Sequence, residues 1–560
     1  MLALAAADNL RLDVNGLDYV ILAIYFSVVI GIGVAARRSI ATSEDFFLSG
    51  RSLPAWVTGL AFISANLGAI EILGMAANGA QYGLSTVHFY WIGAVPAMVF
   101  LGLAMMPFYY SSRVHSVPEY MRRRFNNPTH LVNALSFAAA QVLTAGVNLF
   151  ALSLVVEALL GWPKWVSIVV SAFFVLVYIT LGGLSGAVYN EVMQFFVIMA
   201  GLLPIVIVGL SRVGGWSGLQ RAVNKPEYFS SWTGTQAGGW TNPLGDWIGI
   251  VFGLGFALSF GYWTTNFAEV QRALSAKDLT AARRTPLIGA VPKIFIPALT
   301  IIPGLLAIAL VPSFRGKNPN YNNAIPMLMQ QLLPNGALGI ALAGLLAAFM
   351  AGMAANVSGF NTVWTYDVWR PYVVKDRPDG YYLRVGRWTT VAGVVIGIGT
   401  AFIASTFNNI MNYIQTLFSY FNAPLFAVFI LALFWKRVSP WAGFYGLISG
   451  ILAAFVFHYA GPTLSYFHTG QRAGGVTNEQ MVNFYGAITA VVVAWVVMIA
   501  VTAVTRPKPQ EELLGLVWGL PDPNGPDVGE ASIVRAWWQR PAVLGYSCLA
   551  VVVVLSIIFV

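Results

Sequence analysis

The sequence predicts an all-α polytopic membrane protein, and three observations point there. Of the 560 residues, 58% are hydrophobic and only 9% charged, where soluble proteins carry about 25% charged residues. Apolar stretches long enough to cross a bilayer recur from end to end, giving about fourteen transmembrane helices. Two of these stretches are interrupted by polar residues and glycines at what would be membrane depth, the pattern of discontinuous helices around a solute site.

The expected spans run over 17–36, 54–82, 84–110, 131–160, 163–182, 188–211 and 246–268, then 286–312, 337–369, 386–405, 408–434, 438–460, 482–504 and 541–559. Basic residues gather in alternate loops, among them Arg122, Arg123 and Arg124, then Arg283 and Arg284, then Arg370, Lys375 and Arg377. By the positive-inside rule those loops are cytoplasmic, which puts both termini outside a membrane crossed an even number of times. The first span lacks a cleavage-site pattern and reads as retained. The net charge of +9 is then topological and no sign of nucleic acid. The single cysteine, Cys548, excludes an intrachain disulfide, and the histidines are too scattered for a metal site. No cofactor and no obligate protein partner are expected beyond the lipid bilayer. The stretch from Leu520 to Pro526 reads as a turn-rich linker.

The first interruption is Ser64-Ala-Asn-Leu-Gly-Ala-Ile-Glu71. A carboxylate at the bilayer centre costs about 2.5–3.5 kcal/mol, so Glu71 reads as functional, and Asn66 beside it as polar lining. The second is the stretch from Gly253 to Asn266, with Ser259, Tyr262 and Trp263; a small-residue packing seam is the alternative reading. Lys293 lies inside the eighth span between Pro292 and Pro297. Three readings are open for it: a donor to sugar hydroxyls, a partner of Glu71, or a lysine reaching the cytoplasmic headgroups. Gln415 can both donate and accept, as a polyhydroxylated ligand requires, or can bond another helix. Glu191 reads either as an ion-path carboxylate or as a solvated acid at a helix N-terminus; for Asp367 a cap or salt bridge is favoured. These features point to a secondary transporter with its solute held between the two breaks, at 66–72 and 257–266. An intramembrane enzyme would want clustered acids or a histidine–carboxylate pair. A sensor would want an appended signalling domain, and a channel a repeated filter.

An ordered set of segments resembles the sodium:solute symporters, within them the sodium/glucose and sodium/galactose branch. It begins with Asp45-Phe-Phe-Leu-Ser-Gly-Arg-Ser-Leu-Pro54, Ala65-Asn66, and Gly182-Gly-Leu-Ser-Gly-Ala-Val-Tyr-Asn-Glu191. Tyr262-Trp263, Val270-Gln-Arg-Ala-Leu274, Thr365-Tyr-Asp367, Tyr413-Ile-Gln415 and Phe434-Trp-Lys436 follow. The resemblance implies a LeuT-type five-plus-five inverted repeat with broken first and sixth core helices. It divides the chain into an extra helix and cytoplasmic loop (1–53), a ten-helix transport core (54–434) and three C-terminal helices (435–560). Together with the retained first span, it implies a plasma membrane. It implies a substrate, a sugar by first choice, held by positions corresponding to Glu71, Tyr90, Ser259, Tyr262, Lys293 and Gln415. Three of these match the sugar carriers; Glu71, Tyr90 and Ser259 depart from a glutamine, an acid and an asparagine.

It also implies Na+ as coupling ion, bound by backbone carbonyls near Ser64, Leu67 and Ala348 and by two hydroxyls. Those two positions are Ala351 and Gly352 here, and neither has a side-chain oxygen. Sodium surrenders its water only where oxygens replace it, so proton coupling through Glu71 and uncoupled transport stand as alternatives. Asn356 and Ser358 would serve only in a shifted register.

Overall fold

The computed structural model describes residues 11–36, 52–111, 116–232, 242–316, 319–468, 477–520 and 536–559. Most of the cytoplasmic loop and motif expected before residue 54, and all but the first residue of the 520–526 linker, lie outside them, as do the side chains of 178–186. Among the described residues the only β features are isolated bridges.

The long helices are α1 (Gly16–Ala36), α2 (Ala55–Asn66), α3 (Ile70–Val87), α4 (Phe89–Tyr110), α5 (Asn127–Leu160), α6 (Lys164–Val213) and α7 (Gly249–Thr265). The short α8 (Phe267–Leu274) precedes α9 (Leu279–Leu310), α10 (Ala337–Val373), α11 (Asp379–Ala404) and α12 (Ile410–Phe434). The chain closes with α13 (Pro440–Thr463), α14 (Glu479–Val504) and α15 (Pro541–Ile558).

Among the described residues, eleven helices are long and apolar enough to cross a membrane, or twelve with α2 and α3 taken as one bent span. Fourteen are expected; two further apolar stretches, Lys164–Val177 at the start of α6 and Gly249–Thr265 (α7), are shorter. The loop expected after residue 182 is not formed, because the backbone stays helical from Lys164 to Val213.

Several helices start before their expected spans, and the cause is capping. Asn126 accepts from Thr129 N at 3.0 Å, Asp278 from Ala281 N at 2.7 Å and Asn478 from Met481 N at 3.2 Å. Each side chain satisfies a donor the first turn leaves open. Hydropathy marks where a helix becomes apolar, whereas the cap marks where it begins.

Burial sorts the bundle. The most apolar window of α10 is 89% buried, against 17% for α15, so α10 is central and α15 leaves most of its apolar surface facing outward. α10 packs on α5 and α6, α9 on α2 and α3, and α14 on α12 and α13. The α3–α9 seam depends on glycine: a Cβ on Gly304 would lie 2.2 Å from the Ala76 carbonyl.

Candidate functional site

Helix α2 stops at Asn66 and the chain resumes as α3 at Ile70 after a 58° bend. Leu67 takes a non-helical ψ of 42°, and its N–H bonds the carbonyls of Ile63 and Ser64, both at 3.0 Å. The Asn148 side chain from α5 accepts from Ala69 N at 2.9 Å, satisfying a donor the break exposes. At Gly68 a Cβ would meet Asn148 Oδ1 at 2.5 Å and the Gly352 Cα at 3.2 Å. The break is therefore wedged against α10, backbone on backbone.

Glu71 follows at the start of α3, its side chain 12% exposed. Lys293 Nζ donates to its Oε1 at 2.6 Å, and the Tyr90 hydroxyl to its Oε2 at 2.7 Å. Tyr90 is also 3.0 Å from Thr300 Oγ1. Lys293 donates to Asn66 Oδ1 as well, and its ammonium lies 5.0 Å from the ring centres of both Tyr90 and Trp263. At 1% exposure it does not reach headgroups; that reading is corrected, and pairing with Glu71 is what the fold forms. Four prolines interrupt α9, two flanking Lys293, so this wall of the site has missing backbone donors.

The second break comes at the end of its expected stretch. Gly249–Ser259 winds in wide π-type turns, α7 continues to Thr265, and only Asn266 is extended (ψ 107°). Asn266 Oδ1 accepts from Ala268 N at 3.0 Å and from Gln141 at 3.1 Å, starting α8. The Tyr262 hydroxyl accepts from the Asn66 amide at 3.0 Å and donates to Glu269 Oε1 at 2.8 Å; its ring lies 4.8 Å from that of Phe418.

These groups surround a small, partly open cavity between the two breaks. Asn66, Glu71, Ser259, Tyr262 and Gln415 line it, with Trp263, Phe418, Asn356 and Glu269. Tyr90 and Lys293 do not; they stand behind Glu71 and hold it. Gln415 Oε1 has no bonding partner in the wall and is buried.

Of the positions matched to a sodium site, Ser64 has a buried hydroxyl without a partner. Ala348 and Ala351 are fully buried, and a Cβ on Gly352 would come within 3.0 Å of the Gly68 Cα. Asn356 lines the cavity, whereas Ser358 bonds Gln271 at 3.3 Å. Glu191 is not a solvated helix start: it is 1% exposed, lies mid-helix in α6 and pairs bidentately with Arg272 of α8. Asp367, expected as a cap or salt bridge, is hydrogen-bonded to His130 at 2.9 Å.

Glu269 escapes the sequence reading. It follows the expected seventh span by one residue and belongs to an amphipathic turn that hydropathy reads as loop. It is 2% exposed, and its Oε2 has no hydrogen-bond partner. Burial pushes its carboxyl up to about 7, against the pull of the Arg272 guanidinium.

Comparisons with known proteins agree with this architecture. The chain is 28% identical over 469 residues to a sodium/glucose cotransporter of Vibrio parahaemolyticus, covering 79% of this chain and 85% of that one. It is 28% identical over 546 residues to sodium/glucose cotransporter 4 of Homo sapiens, covering 91% and 79%. A Na+-coupled sialic acid symporter, solved substrate-bound and outward-open, superposes with a TM-score of 0.73 at 18% identity, over 88% of this chain and 99% of that one. A nucleobase-cation-symport-1 family transporter in a closed conformation does so at 0.50 and 15%, over 82% and 95%. The fold is thus that of the LeuT-type transporters. The model of the sodium:solute symporter family matches residues 46–450, and the chain belongs to that family.

Proposed function

We propose that this symporter carries a small polyhydroxylated solute, a sugar of the glucose or galactose class, into the cell by alternating access. The observation that carries this reading is the cavity between the two helix breaks. It combines donors and acceptors (Asn66, Glu71, Ser259, Tyr262, Gln415) with the aromatic faces of Trp263 and Phe418. Hydroxyls bond such mixed groups and a sugar ring stacks on such faces. A carboxylate substrate is disfavoured, since Lys293 is already paired with Glu71 and Glu269 adds a second acid. The names of the sodium/glucose relatives support the same class.

Sodium is the proposed coupling ion, by family and by the sialic acid symporter's likeness. The open hydroxyl of Ser64 at the first break fits such an ion; Ala351 and Gly352 do not, which favours weak sodium coupling as a second reading. The transport core is proposed as residues 54–434, in a plasma membrane with both termini outside.

Binding tests the site. Titration of purified protein with D-galactose in sodium buffer should give saturable heat, and Gln415→Ala should weaken affinity about tenfold, the worth of one or two hydrogen bonds to a neutral ligand. Equal binding by Gln415→Ala would remove that residue from the site.

A further inference from the structure

We propose that Glu269 is a proton-binding site of this chain and acts as a latch on Tyr262: ionised, it holds the tyrosine across the cavity, and a proton taken on Oε2 releases it. The inference rests on the cavity being the transport site.

Three observations carry it. Glu269 lines the cavity while 98% of it is withdrawn from solvent (2% exposed), and one oxygen alone is unbonded. The other oxygen accepts the Tyr262 hydroxyl, and Tyr262 in turn accepts from Asn66, the last residue of α2. One hydroxyl therefore ties the two breaks together. An uninterrupted chain of bonds then runs from Glu269 through Tyr262, Asn66 and Lys293 to Glu71.

Charge counting points the same way. The groups facing Glu269 are Tyr262 from α7, Arg272 from its own helix, Glu191 from α6 and Lys293 from α9. Arg283 and Arg284 sit at the start of α9; α2 and the Ala337–Val363 part of α10 bring no titratable side chain. Lys293 is matched by Glu71 and Arg272 by Glu191. Glu269 is left as an unmatched acid, and a buried unmatched charge is costly until a cation neutralises it. A sodium ion needs several oxygens in place of its water, whereas a proton needs the one open oxygen that Glu269 has.

In the step itself an O–H bond of hydronium on the cytoplasmic side breaks, leaving water, and its proton forms an O–H bond with Oε2. The bond from Tyr262 then changes from charge-assisted to neutral, losing about half its strength. Deprotonation to the same water restores the latch.

The test uses the full chain in lipid. Infrared difference spectra between acid and alkaline buffer should show a protonated-carboxyl band that titrates near neutral pH. The band should be lost in Glu269→Gln, kept in Glu71→Gln, and moved but retained in Glu269→Asp. A band unaffected by Glu269→Gln overturns the proposal. So does one displaced by sodium in place of potassium at constant pH, which would make Glu269 a sodium ligand. Exchange of labelled D-galactose across proteoliposomes supplies the second arm. Wild-type exchange should rise about tenfold as internal pH falls from about 8 to 6, following the protonated fraction. Glu269→Gln should be fast and flat over that range; a wild-type profile in the variant contradicts the latch. Absence of galactose exchange from both proteins would overturn the sugar reading alone, and the infrared band would still decide the proton site.

Discussion

Glu71 and Lys293 make a buried ion pair whose two ends have unequal support. Lys293 has Asn66 and two ring faces besides its partner, while Glu71 has only Tyr90. Removing one member of a buried pair strands the other, at a cost of about 3–5 kcal/mol, whereas removing both is far milder. Lys293→Met and Glu71→Leu should each lower the unfolding temperature in detergent sharply, and the double variant should recover most of the loss. Independent, additive losses would contradict the pairing. Glu269 makes a second residue-scale prediction. Its carboxyl ordinarily titrates near 4.5, and in the folded chain at about 7. Between these values the folded state holds a proton the unfolded state has lost, so stability falls as pH rises from about 4.5 to 7. Glu269→Gln should abolish that component of the pH slope in thermal melts; an unchanged slope would assign it to other groups. The sequence exposed Glu71 because an acid inside an apolar run is conspicuous. It concealed Glu269, because an acid among polar neighbours just past a span carries no signal until the fold turns it inward.

At the scale of elements, the α2–α3 break and α10 meet where Gly68, Gly352 and Asn148 leave no room for a side chain. Gly352 is one of the two positions where the family resemblance leads to the expectation of a hydroxyl, and its packing leaves no room for one. Gly352→Ser should therefore not restore an ion ligand; it should overpack the junction and cost about 1–3 kcal/mol. Improved sodium affinity in that variant would show that the break can open around a larger residue. A second junction joins the ends of α3, α12 and α14. Asn409 donates to Asn78 and Gln81 at 2.9 and 2.7 Å, Gln480 donates to Asn412 at 2.6 Å, and Asn412 also bonds Glu479. By the expected topology this junction closes the outer side. Asn412→Ala removes its hub and should speed hydrogen exchange in 75–82 and 479–483, leaving 440–460 unchanged; uniform protection would deny the junction a role as a separate unit. Both breaks were legible from glycines and polar residues within apolar runs. Their partners were not, because Asn148 and Asn412 are ordinary amides until tertiary packing sets them opposite a break.

Across the whole molecule, the sequence conveys helicity, membrane class and family more reliably than the count of spans. Composition and recurring apolar runs suffice for the class, but the helix through 164–213 shows why counting fails: glycines that suggest a loop remain within helix. Orientation has its own check. In a Cys548→Ala background, a cysteine at Lys225 should react with an impermeant maleimide from outside intact cells, and one at Lys436 only after permeabilisation; the reverse pattern would invert the topology. The central claim, that the cavity between the breaks is the site of a sodium-driven solute carrier, is tested most directly by uptake. Labelled D-galactose and D-glucose would be offered to proteoliposomes under an inward sodium gradient, with potassium as control and Glu71→Gln beside the wild type. Accumulation above equilibrium with sodium, lost in Glu71→Gln, is the predicted result. Sodium-driven accumulation that survives Glu71→Gln undiminished would contradict the account, because the solute would then be passing without the residue on which the cavity is built.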